Sequence, residues 1–476
     1  MITSHGLVPP LSAEWPLSSL VWGKRAGLGT AVELKSPVDK TLIQQVNLLR
    51  DDEREALLSP QAVLSRPHCD ELKQFCERFH AALLEWHCNL LEATQLETAF
   101  IRSDCEEVLE GVLAYVRDFP GTLQSIETAT LPYDCGPQKR QIRLVPTAWG
   151  TVAVVLPQSA FLILGVTCML NALAAGNRVI LRTPLQCARS AALLSEALQT
   201  AQPPQDAVSV VLTRGKEFTD ALFRSSSPQL LHYLGSSRHA ASLLSESFTH
   251  AKPSIVDGEG NVWVWVAEDA DPGGVAQILT EGALRYNGQT CTSINGVVLH
   301  PTLYANVKER LIARWKQLRS GNPLTEDVHV GPLMDEEQSA WCERRVAESG
   351  GTVLCGGTRE GNLLQPTLVE APDWNSELVR EGLFGPTLWI APGEAEEFAG
   401  HWPSNRFPLC AGVISPSADA NYWLQRLSDV ARLCINGDPS IEYIFEPWGG
   451  YPTSGVNPVS TWLQKYQRVV AIDEIG

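Results

Sequence analysis

Asn287-Gly288-Gln289-Thr290-Cys291 presents a cysteine at the end of a short polar turn that contains glycine. The apolar, helix-patterned run from Val275 to Tyr286 precedes it, and the strand-like Gly296-Val297-Val298-Leu299 follows. A thiol at such a junction can face a cleft, where a thiolate is both accessible and stabilised as a nucleophile. A second group lies in Val256-Asp257-Gly258-Glu259-Gly260-Asn261, ahead of an apolar strand. Asp257 on this glycine-flanked turn can project into a cleft as a general base. Glu259, two residues on, is another candidate base, and alternation along an extended segment would put both carboxylates on one side. Asp-Gly is also a frequent pair in solvated turns.

Three further segments are weaker when taken singly. Leu234-Gly235-Ser236-Ser237-Arg238-His239-Ala240 reads as a strand running through a turn into a helix, whose first amides suit a pyrophosphate. It is not the usual G-x-G-x-x-G dinucleotide fingerprint. Glu381-Gly382-Leu383-Phe384-Gly385-Pro386 and Pro447-Trp448-Gly449-Gly450-Tyr451-Pro452-Thr453-Ser454-Gly455 complete the set, each compatible with an ordinary loop.

The elements that must position these groups can be read from periodicity. Residues 1–35 are rich in proline and glycine and read as irregular, whereas Lys40 to Phe119 carries helical patterning. Beyond a polar break at 120–139, strands and helices alternate: strands at 151–156, 179–181, 208–212 and 230–234, with helices between them. That alternation predicts a parallel sheet with helices on its faces. A second alternation runs from Val262 to about Ile435, and Arg468 to Ile472 reads as a terminal strand. Trp263 and Trp265, at strand spacing, read as core residues.

Size and charge set the limits. A chain of 476 residues implies two or three domains. Lys and Arg total 37 against 54 Asp and Glu, a formal net charge of −17, which argues against nucleic acid or an anionic membrane surface as a partner. The twelve cysteines are scattered without a C-x-x-C pair, the pattern of reduced thiols in a cytoplasmic protein; no metal site is expected. No signal-peptide pattern opens the chain, and the apolar stretch Ala160 to Ala175 is too short to span a bilayer.

In their order and spacing, the five segments resemble the aldehyde dehydrogenase superfamily over nearly the whole chain. NGQTC resembles the nucleophile motif, making Cys291 the candidate nucleophile. Asp257 takes the place of the base glutamate in Glu-Leu-Gly-Gly-Lys, 34 positions earlier, a separation the family shares. LGSSRHA resembles the pyrophosphate turn, EGLFGP the Glu-Glu-Ile-Phe-Gly-Pro segment, and PWGGYPTSG the Pro-Phe-Gly-Gly-Tyr-Lys-x-Ser-Gly segment. The resemblance implies an α/β architecture of two Rossmann-like domains with a small β oligomerisation element. Residues 1–125 and 149–258 would form the dinucleotide-binding domain, 259–456 the catalytic domain, and 126–148 with 457–476 the oligomerisation strands of a homodimer or homotetramer.

This chain also departs from the pattern. Asp257 is one methylene shorter than glutamate, a loss of roughly 1–1.5 Å of reach that a water can bridge. Pro157-Gln158-Ser159 stands where the family has Pro-Trp-Asn, so Ser159, or Gln158 in its stead, would join the Cys291 backbone N–H as the oxyanion donor. Losing one such donor typically costs on the order of a hundred- to thousand-fold in rate. Arg182 replaces the lysine at the adenosine ribose, and Leu185 falls where NAD-preferring relatives often carry glutamate. Gly382 replaces the second glutamate of Glu-Glu-Ile-Phe, while Glu381 and Phe384 are kept. The implied cofactor contacts are therefore Pro157, Arg182, Gly235, Ser236, Arg238, Glu381 and Phe384. Arginines without an acidic ribose partner suit NADP slightly better than NAD. Arg285, six residues before Cys291, would hold an acidic substrate if it faces the tunnel.

The leading expectation is an NAD(P)-dependent oxidation of a small-molecule aldehyde to the acid, through a thiohemiacetal and a thioester on Cys291. Two alternatives stay open: thioester transfer to a thiol such as coenzyme A, and a catalytically impaired member with an assembly or regulatory role.

Overall fold

The computed structural model describes residues 17–475 apart from 28, 62, 63, 65, 68, 126–128, 136, 137, 428, 444 and 452. Its first sheet has at its centre five parallel strands in the spatial order Val208–Leu212, Arg178–Thr183, Thr151–Val155, Leu230–Leu234 and Ser254–Asp257. The order reverses at Thr151–Val155, and the crevice beyond the carboxyl ends of strands at such a point is where open α/β sheets bind ligands. Strands such as TVAVV and VSVVL are buried at every residue because helices cover both faces. Val152 and Val154 pack under the helices Phe161–Ala174 and Ala188–Ala201. Ala153 and Val155 face Gly215–Arg224 and Ser237–Thr249.

Antiparallel strands extend both edges. The hairpin Ser19–Val21 and Lys24–Ala26 adds at one side, so the irregular reading of the first 35 residues is corrected there. A further hairpin, Ala31–Lys35 with Leu42–Asn47, replaces the helix expected from Lys40. In Leu42–Asn47, Gln44 and Val46 are buried with Gln45 exposed between them, a strand period that the more distant helical patterning obscured. Helices then occupy Asp51–Leu57, Cys69–Glu85, His87–Thr98 and Arg102–Asp118. At the other edge Gly455–Ser460 pairs with Ser254–Asp257, opposing Gly455 to Asp257.

The second sheet runs Thr352–Cys355, Thr367–Glu370, Thr387–Pro392, Ile294–Leu299, Val262–Val266, Cys410–Ile414 and Arg432–Ile435, parallel except for its first strand. Trp263 and Trp265 are core residues, as their spacing implied. They pack with Trp389, Trp402 and Trp423 on one face, where Trp263 meets Trp389 edge-on at 5.4 Å. A separate three-stranded antiparallel sheet joins Ala129–Cys135, Gln138–Ala148 and Gln467–Ile475. The α/β class is the expected one. Strand Gly455–Ser460, part of which the sequence reading gave to the oligomerisation element, belongs instead to the nine-stranded sheet.

Candidate active site

Cys291 sits between the helix Pro272–Leu284 and the strand Ile294–Leu299, on a turn whose shape the preceding residues impose. Tyr286, Asn287 and Gly288 are all left-handed, at φ of 54°, 57° and 69°. Asparagine tolerates that conformation, and glycine adopts it without strain. Glycine is required at 288 for a second reason: a Cβ would lie 2.3 Å from the Gly385 carbonyl oxygen. The Asn287 amide ties the turn down, donating to the carbonyls of Ala99 at 2.9 Å and Pro332 at 3.2 Å and accepting from Gly331 N–H at 2.8 Å. Gln289 Oε1 accepts from Met334 N–H at 3.1 Å, and Thr290 and Ser293 share a 2.9 Å hydroxyl bond. The motif residues thus anchor the loop that carries the thiol.

Gly260 packs against the same loop, since a Cβ there would meet the Cys291 carbonyl oxygen at 2.0 Å. The two glycine-bearing turns therefore touch backbone to backbone. Burial pushes the Cys291 thiol well above its usual value, and the negative charges of Glu442 and Asp257 push the same way. The direction favours the neutral thiol at neutral pH, so a thiolate at this position would need a proton acceptor. Thr292, the next residue, donates to Glu442 Oε1 at 2.9 Å. Glu442 is exposed as a residue, yet its carboxyl end is closely surrounded, and that burial raises its pKa, with the Thr292 bond opposing. Glu442 was not among the sequence candidates, and nothing in its loop marked it.

The two carboxylates after Val256 do not share a side. Asp257 is buried at the end of its strand, with Oδ2 2.6 Å from His232 Nε2 and Oδ1 accepting from Asn457 Nδ2 at 2.6 Å. His232 Nδ1 is 2.7 Å from the Tyr466 hydroxyl, and Lys465 Nζ donates to Asn457 Oδ1 at 2.7 Å. Burial alone would raise the Asp257 pKa, but the bond and charge of His232, the Asn457 bond and the Lys465 charge outweigh it, and the net direction is down. This carboxylate is ionised and has both oxygens engaged. Sequence reading missed the network because its members lie on four segments with no shared motif.

Glu259 instead reaches the start of helix Ser237–Thr249, where its Oε2 accepts from Ser237 N–H at 3.0 Å. Ser236 caps that helix by accepting from Arg238 N–H at 3.3 Å, and Arg238 itself is exposed. Gly235 N–H donates to the Asp257 carbonyl at 3.0 Å. Pro157 is half-buried. Ser159 and Gln158 line a cavity of about 20 Å³ with Glu97, Phe100 and Cys187, and the Gln158 amide donates to the Glu97 carbonyl at 2.8 Å. That bond takes one of the two N–H groups of the Gln158 amide.

Arg182 donates to the Thr213 carbonyl through Nε at 3.2 Å and a terminal nitrogen at 3.1 Å, with Gly215 beside it; burial lowers its pKa to about 10. Glu381 is paired with Arg406, and Phe384 is half-buried with its carbonyl accepting from Gln338 at 3.1 Å. Gly382 has φ of 70°, and a Cβ there would lie 2.7 Å from Asn261 Oδ1 and 2.9 Å from Asn295 Cγ, so this backbone excludes a glutamate. Arg285 pairs with Glu107 at 2.6 Å and lies 3.9 Å from Asp438. Its charge is already met by these carboxylates, which speaks against the conditional role of an anchor for an acidic substrate.

Among the described residues, no group of three or more His, Cys, Asp or Glu is placed to hold a metal, and no helix is long and apolar enough to cross a membrane.

An open parallel sheet with a switch point, beside a second, largely parallel sheet whose central strand Ile294–Leu299 follows the Cys291 loop, defines a two-sheet α/β protein of dehydrogenase-like architecture. The aldehyde dehydrogenase family model matches residues 23–472, and the chain belongs to that family. An aldehyde-dehydrogenase-like protein of Sinorhizobium fredii is 25% identical over 331 residues, 67% of this chain and 63% of that one, under two-thirds of the relative's length. Vanillin dehydrogenase of Corynebacterium glutamicum is 26% identical over 329 residues, 67% of each chain. Among solved structures, an NAD+ complex of an aldehyde dehydrogenase from Bacillus cereus superposes with a TM-score of 0.88 at 20% identity, covering 97% of this chain and 96% of that one. Family membership supports an oxidoreductase class.

Proposed function

We propose that the protein oxidises a small aldehyde at Cys291, with a nicotinamide dinucleotide as the hydride acceptor. The observation that carries this reading is the anchored left-handed turn Tyr286-Asn287-Gly288, which fixes the nucleophile against the Gly260 turn. Residues of this chain suit the dinucleotide: the glycine-lined turn at Gly235 and Ser236, the half-buried Pro157 and Phe384, and the exposed Arg238. The carboxylate of Glu259 on Ser237 N–H is a stand-in ion, in that this helix start accepts an anion. When bound, the dinucleotide supplies the hydride acceptor for the oxidation.

In this reading Cys291 loses its proton to a nearby carboxylate and adds to the aldehyde carbonyl, while its own backbone N–H and the Ser159 hydroxyl receive the oxyanion. Glu442, held by Thr292 next to the thiol and with its pKa raised, suits the proton acceptor better than Asp257, whose oxygens are engaged. The engagement of Arg182 removes one argument for NADP over NAD, so both dinucleotides are candidates. A second reading, an attenuated enzyme, draws support from that same engagement of Asp257 and from the high thiol pKa.

The test is a panel of aliphatic, aromatic and charged aldehydes offered with NAD or NADP, following reduced nicotinamide and free acid. Turnover lost in Cys291→Ala supports the proposal. Turnover unchanged in that variant overturns it, and none with any aldehyde favours the attenuated reading.

A further inference from the structure

The side chain of Glu259 is doing at the start of helix Ser237–Thr249 what a phosphate oxygen does at such a site. Its Oε2 takes the Ser237 N–H at 3.0 Å. Its own N–H donates to Ser237 Oγ at 3.3 Å, and that hydroxyl donates onward to the Thr453 carbonyl at 3.2 Å. Gly258 N–H meets the Ser454 carbonyl at 2.8 Å, and a Cβ on Gly258 would come within 2.5 Å of Ser237 Oγ. Gly258 and Glu259 therefore sit directly against the helix start. Nearby, the Tyr233 hydroxyl donates to the Ser236 carbonyl at 3.2 Å.

A helix of thirteen residues carries partial positive charge at its N-terminus, which favours one anion there. A pyrophosphate brought to the same amide would face the Glu259 carboxylate at close range, two like charges in competition for one donor. In the segment that resembles Glu-Leu-Gly-Gly-Lys, Glu259 falls on a glycine position, and glycine has no side chain to reach the helix. The contact is a property of this chain.

We infer that Glu259 is a built-in occupant of the pyrophosphate position, so that a nicotinamide dinucleotide binds only by displacing its carboxylate from Ser237. The inference rests on the reading that a dinucleotide binds at this turn. Glu259 thereby sets the cofactor affinity of the protein, and it is a binding determinant and not the general base that its spacing from Asp257 suggested.

The experiment is calorimetric titration of the full chain with NAD and with NADP, for the native protein, Glu259→Gln and Glu259→Ala. The glutamine variant keeps an acceptor for the Ser237 amide and so preserves the docked turn; a melting curve for each protein confirms folding. Removing the charge is expected to tighten binding by about tenfold or more in both variants, equivalent to roughly 1.4 kcal/mol. Native binding with equal or weaker affinity in the variants overturns the inference and leaves the cofactor reading intact. No binding by any of the three proteins overturns both.

Discussion

Asp257 Oδ2 and His232 Nε2 lie 2.6 Å apart in the interior of the first sheet, and this bond decides what Asp257 can do. The two residues sit on adjacent parallel strands, with Asn457 from the edge strand closing the other carboxylate oxygen. A side chain so enclosed orders the junction between the first sheet and the C-terminal segment. It does not swing to a water.

Asp257→Asn is expected to lower stability strongly. Breaking a buried charged network by removing one partner typically costs about 3–5 kcal/mol. It also leaves Lys465, whose pKa burial has already lowered to about 8, without the charge that opposes the shift. The Asp257 pKa is depressed in the fold, so its contribution is present above the unfolded value near 3.9 and is lost as pH falls through the lower folded value. Denaturant unfolding at pH 7 and below pH 4 checks both points: a stability unchanged by the substitution at pH 7 contradicts them.

Alkylation of Cys291 should be slow at neutral pH and accelerate without a plateau up to about pH 9, because burial and the Glu442 and Asp257 charges all oppose the thiolate. The exposed Cys69 and Cys88 serve as internal references in a peptide-resolved iodoacetamide time course. Glu442→Gln removes one of the opposing charges and should speed modification of Cys291 at fixed pH by roughly threefold or more. A rate that matches Cys69 at pH 7 in the native protein contradicts the raised thiol pKa of the half-buried Cys291.

Gly382→Glu, which restores the residue of the family motif, should not improve cofactor binding. The backbone φ of 70° and the 2.7 Å approach to Asn261 Oδ1 leave no room for the side chain without moving the strand start at Asn295. A loss of about 1–3 kcal/mol is expected from overpacking and strain. Thermal melting reads this out, and a melting temperature equal to the native one would show that the loop adapts freely.

Glu97→Gln should flatten the pH dependence of stability. Burial raises the Glu97 pKa to about 7, despite bonds from Ser190 and the Arg189 amide. The folded state then binds the proton more tightly than the unfolded one, near 4.3, so stability falls as pH rises between those values, by on the order of 3 kcal/mol. Asp104, also raised to about 7 by burial, keeps part of that slope in the variant. The difference between unfolding free energies at pH 5 and pH 8 should shrink in Glu97→Gln without vanishing, and an unaltered difference speaks against the assignment.

Val469 and Val470 are exposed on the edge strand Gln467–Ile475, at 61% and 39%. An unpaired edge bearing apolar side chains suits pairing with a second copy of the chain. Light scattering is expected to give a dimer or larger, and a monomer at working concentration rejects the homo-oligomer.

Much of the fold was legible in the chain because burial on both faces writes continuous apolar runs, as in TVAVV and VSVVL, and helices between them repeat every three to four residues. The turn that carries Cys291 was legible too, since a left-handed turn demands residues such as Asn287 and Gly288 at adjacent positions. The hairpin Ala31–Lys35 with Leu42–Asn47 was not, because short edge strands carry too few alternations to outweigh neighbouring helices. The roles of the carboxylates were decided only in three dimensions. Asp257 and Glu259 are two residues apart, yet one is taken by His232 and Asn457 and the other by Ser237, while Glu442 arrives beside Thr292 from 150 positions away. Sequence determines which groups exist and which turns they ride on. What each carboxylate can do depends on who satisfies its oxygens, and those partners come from strands and loops that only the packed structure brings together.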